Sequence, residues 1–148
     1  MSDISEEYLS NIYKDVIMDH FRNPRNSVEI EEYDYARQEI NPFCGDKVEF
    51  RVKLSSNRVI TNVSATAEGC TVIKAASSML SVYVQDKDVD RLPFQMDIFE
   101  KFLKNEEDTD YSELSTLADL RVVRQHPVRL KCVLLPVRAL LNLIESTH

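Results

Sequence analysis

The chain has only two glycines, Gly45 and Gly69, and each stands directly beside a cysteine. Glycine admits left-handed backbone conformations without steric cost. The places where this backbone bends most freely therefore coincide with two of its three thiols. The first is Asn41-Pro42-Phe43-Cys44-Gly45-Asp46, a loop tightened by Pro42 and Gly45 that sets a thiol and a carboxylate two positions apart. Either a metal ion or a transferred sulfur atom could use that pair. The second is Glu68-Gly69-Cys70, and Cys132 completes the set. Three cysteines and Asp46 supply the donor count of a closed tetrahedral zinc site. A buried free cysteine is also common as a small core residue, and the long separations between these three match no compact zinc-finger pattern.

Composition narrows the classes. With 43% hydrophobic and 29% charged residues over 148 positions, one globular domain spanning 1–148 can build its own core. Eighteen Lys and Arg against 25 Asp and Glu leave a net charge of −7, which disfavours a nucleic-acid groove and favours a basic or neutral protein partner. An odd, sparse cysteine count suits a reducing cytoplasm, where thiols act as ligands or nucleophiles rather than in disulfides. The first residues, Met1 to Glu7, are polar and acidic, and no run approaches the length of a membrane span. A cytoplasmic protein with no membrane segment is expected.

Periodicity outlines the elements. Leu9, Ile12, Tyr13, Val16, Ile17 and Phe21 predict an amphipathic helix over about 6–22, with His20 near its end as a surface or capping residue favoured by the helix dipole. Residues 25–40 read as a solvated acidic loop with one edge strand near 36–40. Val48, Phe50, Val52 and Leu54 alternate with charged residues, the mark of a strand with one face in water. Val59, Thr61, Val63, Ala65 and Ala67 alternate back after the turn residues Ser55-Ser56-Asn57, giving an antiparallel hairpin. Val72, Ala76, Met79, Leu80 and Tyr83 trace a helical face, so Cys70 lies at or before a helix N-terminus, where the dipole favours a thiolate. Small residues from Ala75 to Ser78 allow another element to approach this helix closely.

A further helix is expected from Leu92-Pro93, with Ile98, Phe99, Phe102 and Leu103 as core. A linker at 105–110 and a short helix over about 112–121 should follow. His126-Pro127 opens the last helix, whose buried face is read as Leu130, Val133, Leu134, Val137, Leu141 and Ile144. Arg129 and Lys131 could lower the Cys132 pKa or balance a metal–thiolate centre. Pro136 removes the hydrogen bond to the Cys132 carbonyl, which predicts a kink at the third thiol.

Four motifs in order carry a resemblance. They are Tyr13-Lys14-Asp15-Val16-Ile17-Met18-Asp19-His20-Phe21 with Asn23-Pro24-Arg25-Asn26, then the Cys44 loop, then Glu68-Gly69-Cys70, then Arg129-Leu130-Lys131-Cys132. Over nearly its whole length the chain resembles the U-type iron–sulfur cluster assembly proteins (IscU, SufU and the N-terminal part of NifU). It is most similar to the SufU branch, which has an insertion between the second and third cysteines and a lysine before the third. The resemblance implies an α+β fold, SufE/NifU-like, with a small antiparallel three-stranded sheet, helices packed on one side and the cysteines gathered at one end. It implies Cys44, Asp46, Cys70 and Cys132 as zinc ligands. It also implies Cys44 as acceptor of a persulfide sulfur from a SufS-like cysteine desulfurase, with downstream iron–sulfur assembly proteins or apo-protein acceptors as recipients. On that reading the chain is a sulfurtransferase-type carrier.

The chemistry agrees with these roles. A thiolate attacks the outer sulfur of an enzyme persulfide, so the acceptor must be deprotonated near neutral pH and reachable. Zinc deprotonates thiols and is itself redox-inert, and a hard carboxylate such as Asp46 is the least matched ligand in a thiolate-rich site. Two other readings stand beside the sulfur acceptor. In one, Cys44, Cys70 and Cys132 hold a transient iron–sulfur cluster for transfer. In the other, zinc only stabilises the domain.

Overall fold

The computed structural model describes residues 15–106 and 110–148. Of the helix expected over 6–22, the described part is helical (α1, Asp15–Arg22), and residues 6–14 lie outside the described range. The expected linker at 105–110 is likewise described only in part.

Three antiparallel strands in the order β1-β2-β3 form one sheet: β1 (Tyr35–Ile40), β2 (Lys47–Leu54) and β3 (Ile60–Glu68). The alternation in β2 does what its sequence demands. Val48, Phe50 and Val52 are wholly buried while Lys47, Glu49 and Arg51 stay partly in solvent. Ile40 pairs with Lys47, so residues 41–46 are the hairpin loop between β1 and β2. Lys47 also pairs with Glu68, which brings Gly69 and Cys70 alongside the end of that loop. Register alone thus joins two of the cysteine motifs.

Helices α2 (Thr71–Val84) and α4 (Pro127–Ser146) pack on one face of the sheet, α2 against β3 and α4 against β1 and β2. Helix α3 (Leu92–Leu103) and a 3₁₀ segment (Ser112–Gln125) pack on each other and extend the core. Phe50, Phe99, Met79, Leu80 and Met96 are among its fully buried side chains.

The segment before β1 is more ordered than a solvated loop. The Asn26 carbonyl accepts from the Ala65 amide at 2.7 Å, the Ser64 hydroxyl accepts from the Ile30 amide at 3.2 Å, and Arg51 reaches both the Ile30 carbonyl and Glu29. Its charges pair with those of the sheet, so the segment crosses the sheet's outer face from β3 toward β1.

Four expectations are corrected. His20 is not a surface residue: it is 7% exposed, with Nδ1 2.7 Å from the Ser78 hydroxyl, because the small residues of α2 let α1 settle onto them. The short helix expected over 112–121 is a 3₁₀ segment reaching Gln125, and Ser115 (φ 52, ψ −131) breaks its helical geometry. Its buried residues Leu114, Leu117, Leu120 and Val123 recur every three positions, the period of three residues per turn. Helix α4 continues across Pro136, which is buried within it, so no break interrupts the helix at the third thiol. The buried face of α4 is also rotated from the expected one. Val133, Pro136, Val137, Leu140, Leu143 and Ile144 are buried, while Leu130, Leu134 and Leu141 lie at its margins.

Candidate metal centre

The 41–46 loop is built from its own polar groups. The Asn41 amide donates to the Asp46 carbonyl at 2.8 Å, the Gly45 amide to the Asn41 carbonyl at 2.9 Å, and the Phe43 amide to Asn41 Oδ1 at 3.0 Å. The last contact is the local side-chain turn that asparagine favours. Gly45 (φ +76) supplies the left-handed step that returns the chain to β2. As a result Asp46 turns inward and is buried, while Cys44 stays on the exposed side of the loop.

Cys70 occupies the N-cap of α2 and Cys132 the second turn of α4. Cys70 Sγ lies 3.4 Å from Cys132 Sγ, which lies 3.4 Å from Asp46 Oδ2. These three donor atoms fall within 4.8 Å of one another. Gly69 makes the cluster possible. With φ +139 it takes a conformation L-residues rarely adopt, and a Cβ there would run into the Asp46 carboxylate, with Cγ only 2.8 Å away. The structure therefore gathers Asp46, Cys70 and Cys132, and leaves Cys44 at the rim of the same loop.

Protons divide unequally over the cluster. The Cys132 thiol donating to Cys70, helped by the amides of Ile73 and Val72 in the first turn of α2, brings the Cys70 pKa from 9.0 down to about 6 against the opposing effect of burial. Contact with Cys70, then burial, then Asp46, push the Cys132 thiol up. The negative charge settles on Cys70 and the proton on Cys132. Lys131 is exposed, and the groups that set the Cys132 proton are Cys70 and Asp46 rather than a cation. A divalent cation would displace that proton and be held by two sulfurs and a carboxylate, a donor set suited to zinc.

The NifU-like N-terminal domain model matches residues 12–132, a range that includes Cys44, Asp46, Cys70 and Cys132. The chain belongs to this family. This NifU-like domain is 30% identical to the zinc-dependent sulfurtransferase SufU of Bacillus subtilis over 132 residues, covering 89% of the chain and 88% of the relative. It is also 30% identical to the iron–sulfur cluster assembly scaffold protein IscU of Streptococcus pyogenes over 139 residues, covering 94% of the chain and 86% of the relative. The crystal structure of a SUF-system scaffold protein from Fervidobacterium islandicum superposes with a TM-score of 0.82 at 24% identity, over 91% of this chain and 98% of that one. That likeness establishes the shared α+β fold, and the two sequence relatives place the NifU-like domain among the iron–sulfur cluster assembly proteins.

One feature beside the centre had no place in the ligand pattern. Ile40, Asn41, Pro42 and Phe43 from the hairpin and Lys131, Leu134, Leu135 and Arg138 from α4 line a groove of about 430 Å³. The signal was present in the sequence as helical spacing, since 131, 134, 135 and 138 fall on one side of a helix.

Proposed function

We propose that this protein is a zinc-dependent sulfur acceptor, with Cys44 taking persulfide sulfur from a cysteine desulfurase and Asp46, Cys70, Cys132 and Cys44 forming the metal's donor set. The observation that carries the proposal is the division of the site: three donors converge inside, and the remaining thiol stands exposed on a short loop at their edge. Bound zinc would hold the thiols deprotonated and, being redox-inert, protect them. The chain's own residues do the rest. Gly45 and the Asn41 hydrogen bonds fix the loop while leaving Cys44 accessible, Gly69 makes room for Asp46, and the first turn of α2 stabilises charge on Cys70.

The transfer step balances without an outside oxidant. The Cys44 thiolate attacks the outer sulfur of the enzyme persulfide, the enzyme's S–S bond breaks as the Cys44 Sγ–S bond forms, and the desulfurase cysteine leaves as a thiolate. The sulfur then passes to downstream assembly proteins or apo-protein acceptors in the reducing cytoplasm.

The test is metal analysis of protein purified without added metal, coupled to desulfurase turnover with and without it. One equivalent of zinc, faster turnover, and loss of that stimulation in Cys44→Ala are expected. Stimulation that survives Cys44→Ala overturns the relay. Iron with matching sulfide and no effect on turnover would instead favour the cluster-scaffold reading, which the equal identity to the Streptococcus pyogenes IscU supports.

A further inference from the structure

The groove beside Cys44 has a chemical character unlike the rest of this acidic chain. Its walls are aliphatic and aromatic: Ile40 and Phe43 are among the exposed large hydrophobics, and Phe43, at 97% exposed, touches almost nothing of its own protein. Leu134 and Leu135 are only partly covered by the core. A bare phenyl ring at the tip of a hairpin forgoes its burial energy unless something else covers it. Two cations, Lys131 one turn before these leucines and Arg138 one turn after them along α4, line the same groove. Neither forms an ion pair among the described residues, whereas Arg25, Arg51, Arg58, Arg91 and Lys101 all do.

Apolar walls with unpaired positive charge call for an occupant that is apolar with negative charge. We infer that the groove docks an acidic, aliphatic segment of the sulfur-donating enzyme, with Phe43 as the apolar anchor and Arg138 and Lys131 as the electrostatic guide. The identity of the partner rests on the sulfur-acceptor reading above. The net charge of −7 points toward a basic partner, but the groove reverses that locally. Exposed charges more than about 8 Å apart are largely screened at physiological salt, so groups in contact outweigh the distant total. Position supports the same occupant. Phe43 immediately precedes Cys44 and Lys131 immediately precedes Cys132, so a segment seated here lies against the exposed thiol.

The test is calorimetric titration of the cysteine desulfurase from the same organism into the full-length zinc-loaded protein at low and high salt, with sulfur-acceptor turnover measured in parallel. Arg138→Glu should weaken binding by about tenfold or more at low salt and flatten its salt dependence. Arg138→Lys should stay near wild type. Phe43→Ser should weaken binding by a similar factor at either salt. Both side chains are exposed, so zinc content should be unchanged. Wild-type affinity and salt dependence in Arg138→Glu together with wild-type affinity in Phe43→Ser would overturn the docking surface and leave sulfur acceptance standing. Groove-dependent binding without stimulated turnover would overturn sulfur acceptance and leave the docking surface standing. A desulfurase that does not bind the wild-type protein would overturn both.

Discussion

Gly45 and Gly69 look equivalent in the sequence, yet the structure asks different things of them. Space around Gly45 is open and only its backbone angle is special, whereas at Gly69 the missing side chain is where the Asp46 carboxylate sits. Gly45→Ala should therefore cost about 1–2 kcal/mol, the penalty of a left-handed L-residue, with metal retained. Gly69→Ala should lose zinc as well as stability, because it displaces a donor. Thermal midpoints and zinc stoichiometry of the two variants check this. Equal zinc retention in both would mean that Asp46 can leave without consequence.

At the scale of elements, the contact between α1 and α2 is the one the sequence concealed. The Arg25 amide donates to the Ser78 hydroxyl at 2.8 Å, and the same hydroxyl lies 2.7 Å from His20 Nδ1. Burial first, then the Arg25 cation, lower the His20 pKa below its usual value of 6.5, with Asp19 opposing. A group whose folded pKa is depressed adds no penalty above the unfolded value. As pH falls below about 6.5, the unfolded chain takes a proton that the folded one resists, and stability is lost until the folded pKa is passed. Denaturant midpoints measured between pH 7.5 and 5 should fall more for wild type than for His20→Asn, whose amide oxygen can still accept from Ser78. Parallel curves would remove His20 as the cause.

Strands β2 and β3 were readable because charged and apolar residues alternate without exception in β2, and Cys70 at a helix start followed from the apolar face of α2. His20 was misread because a polar side chain gives no periodic signal of burial, and its partner Ser78 is 58 positions away. The 3₁₀ segment reads in the sequence only as a short helix, because over about ten residues periods of three and 3.6 residues differ by less than a turn. The face of α4 was misplaced because leucines surround that helix. At the centre, residue types and order singled out Asp46, Cys70 and Cys132, which the structure brings together, but not that Cys44 would stand outside that cluster. That division depends on which way one glycine turns a loop.

The molecule as a whole is closed at the end far from the thiols. Arg58, in the turn between β2 and β3, binds both Asp90 oxygens and reaches the Thr147 hydroxyl at 2.9 Å and its carbonyl at 3.3 Å, fastening the sheet to the end of α4. The cation also sits where the negative end of the helix dipole favours it. Arg58→Ala should lower the thermal midpoint by a few degrees while leaving the groove and the Cys44 loop intact. Differential scanning calorimetry with zinc analysis measures both, and an unchanged midpoint would show the fastening to be idle.

That distant fastening lies at the opposite end of α4 from the candidate donors. Asp46 rides on the sheet and Cys132 on α4, and the helix runs about 22 Å from Cys132 to its tie at Thr147. A tilt of one degree about that pivot shifts the Cys132 backbone by about 0.4 Å at this rise per residue. Metal–ligand distances tolerate only about 0.2 Å. An ion held by Asp46 and Cys132 would therefore feel the angle between α4 and the sheet, and anything that leans on the outer side of α4 would turn the same dial.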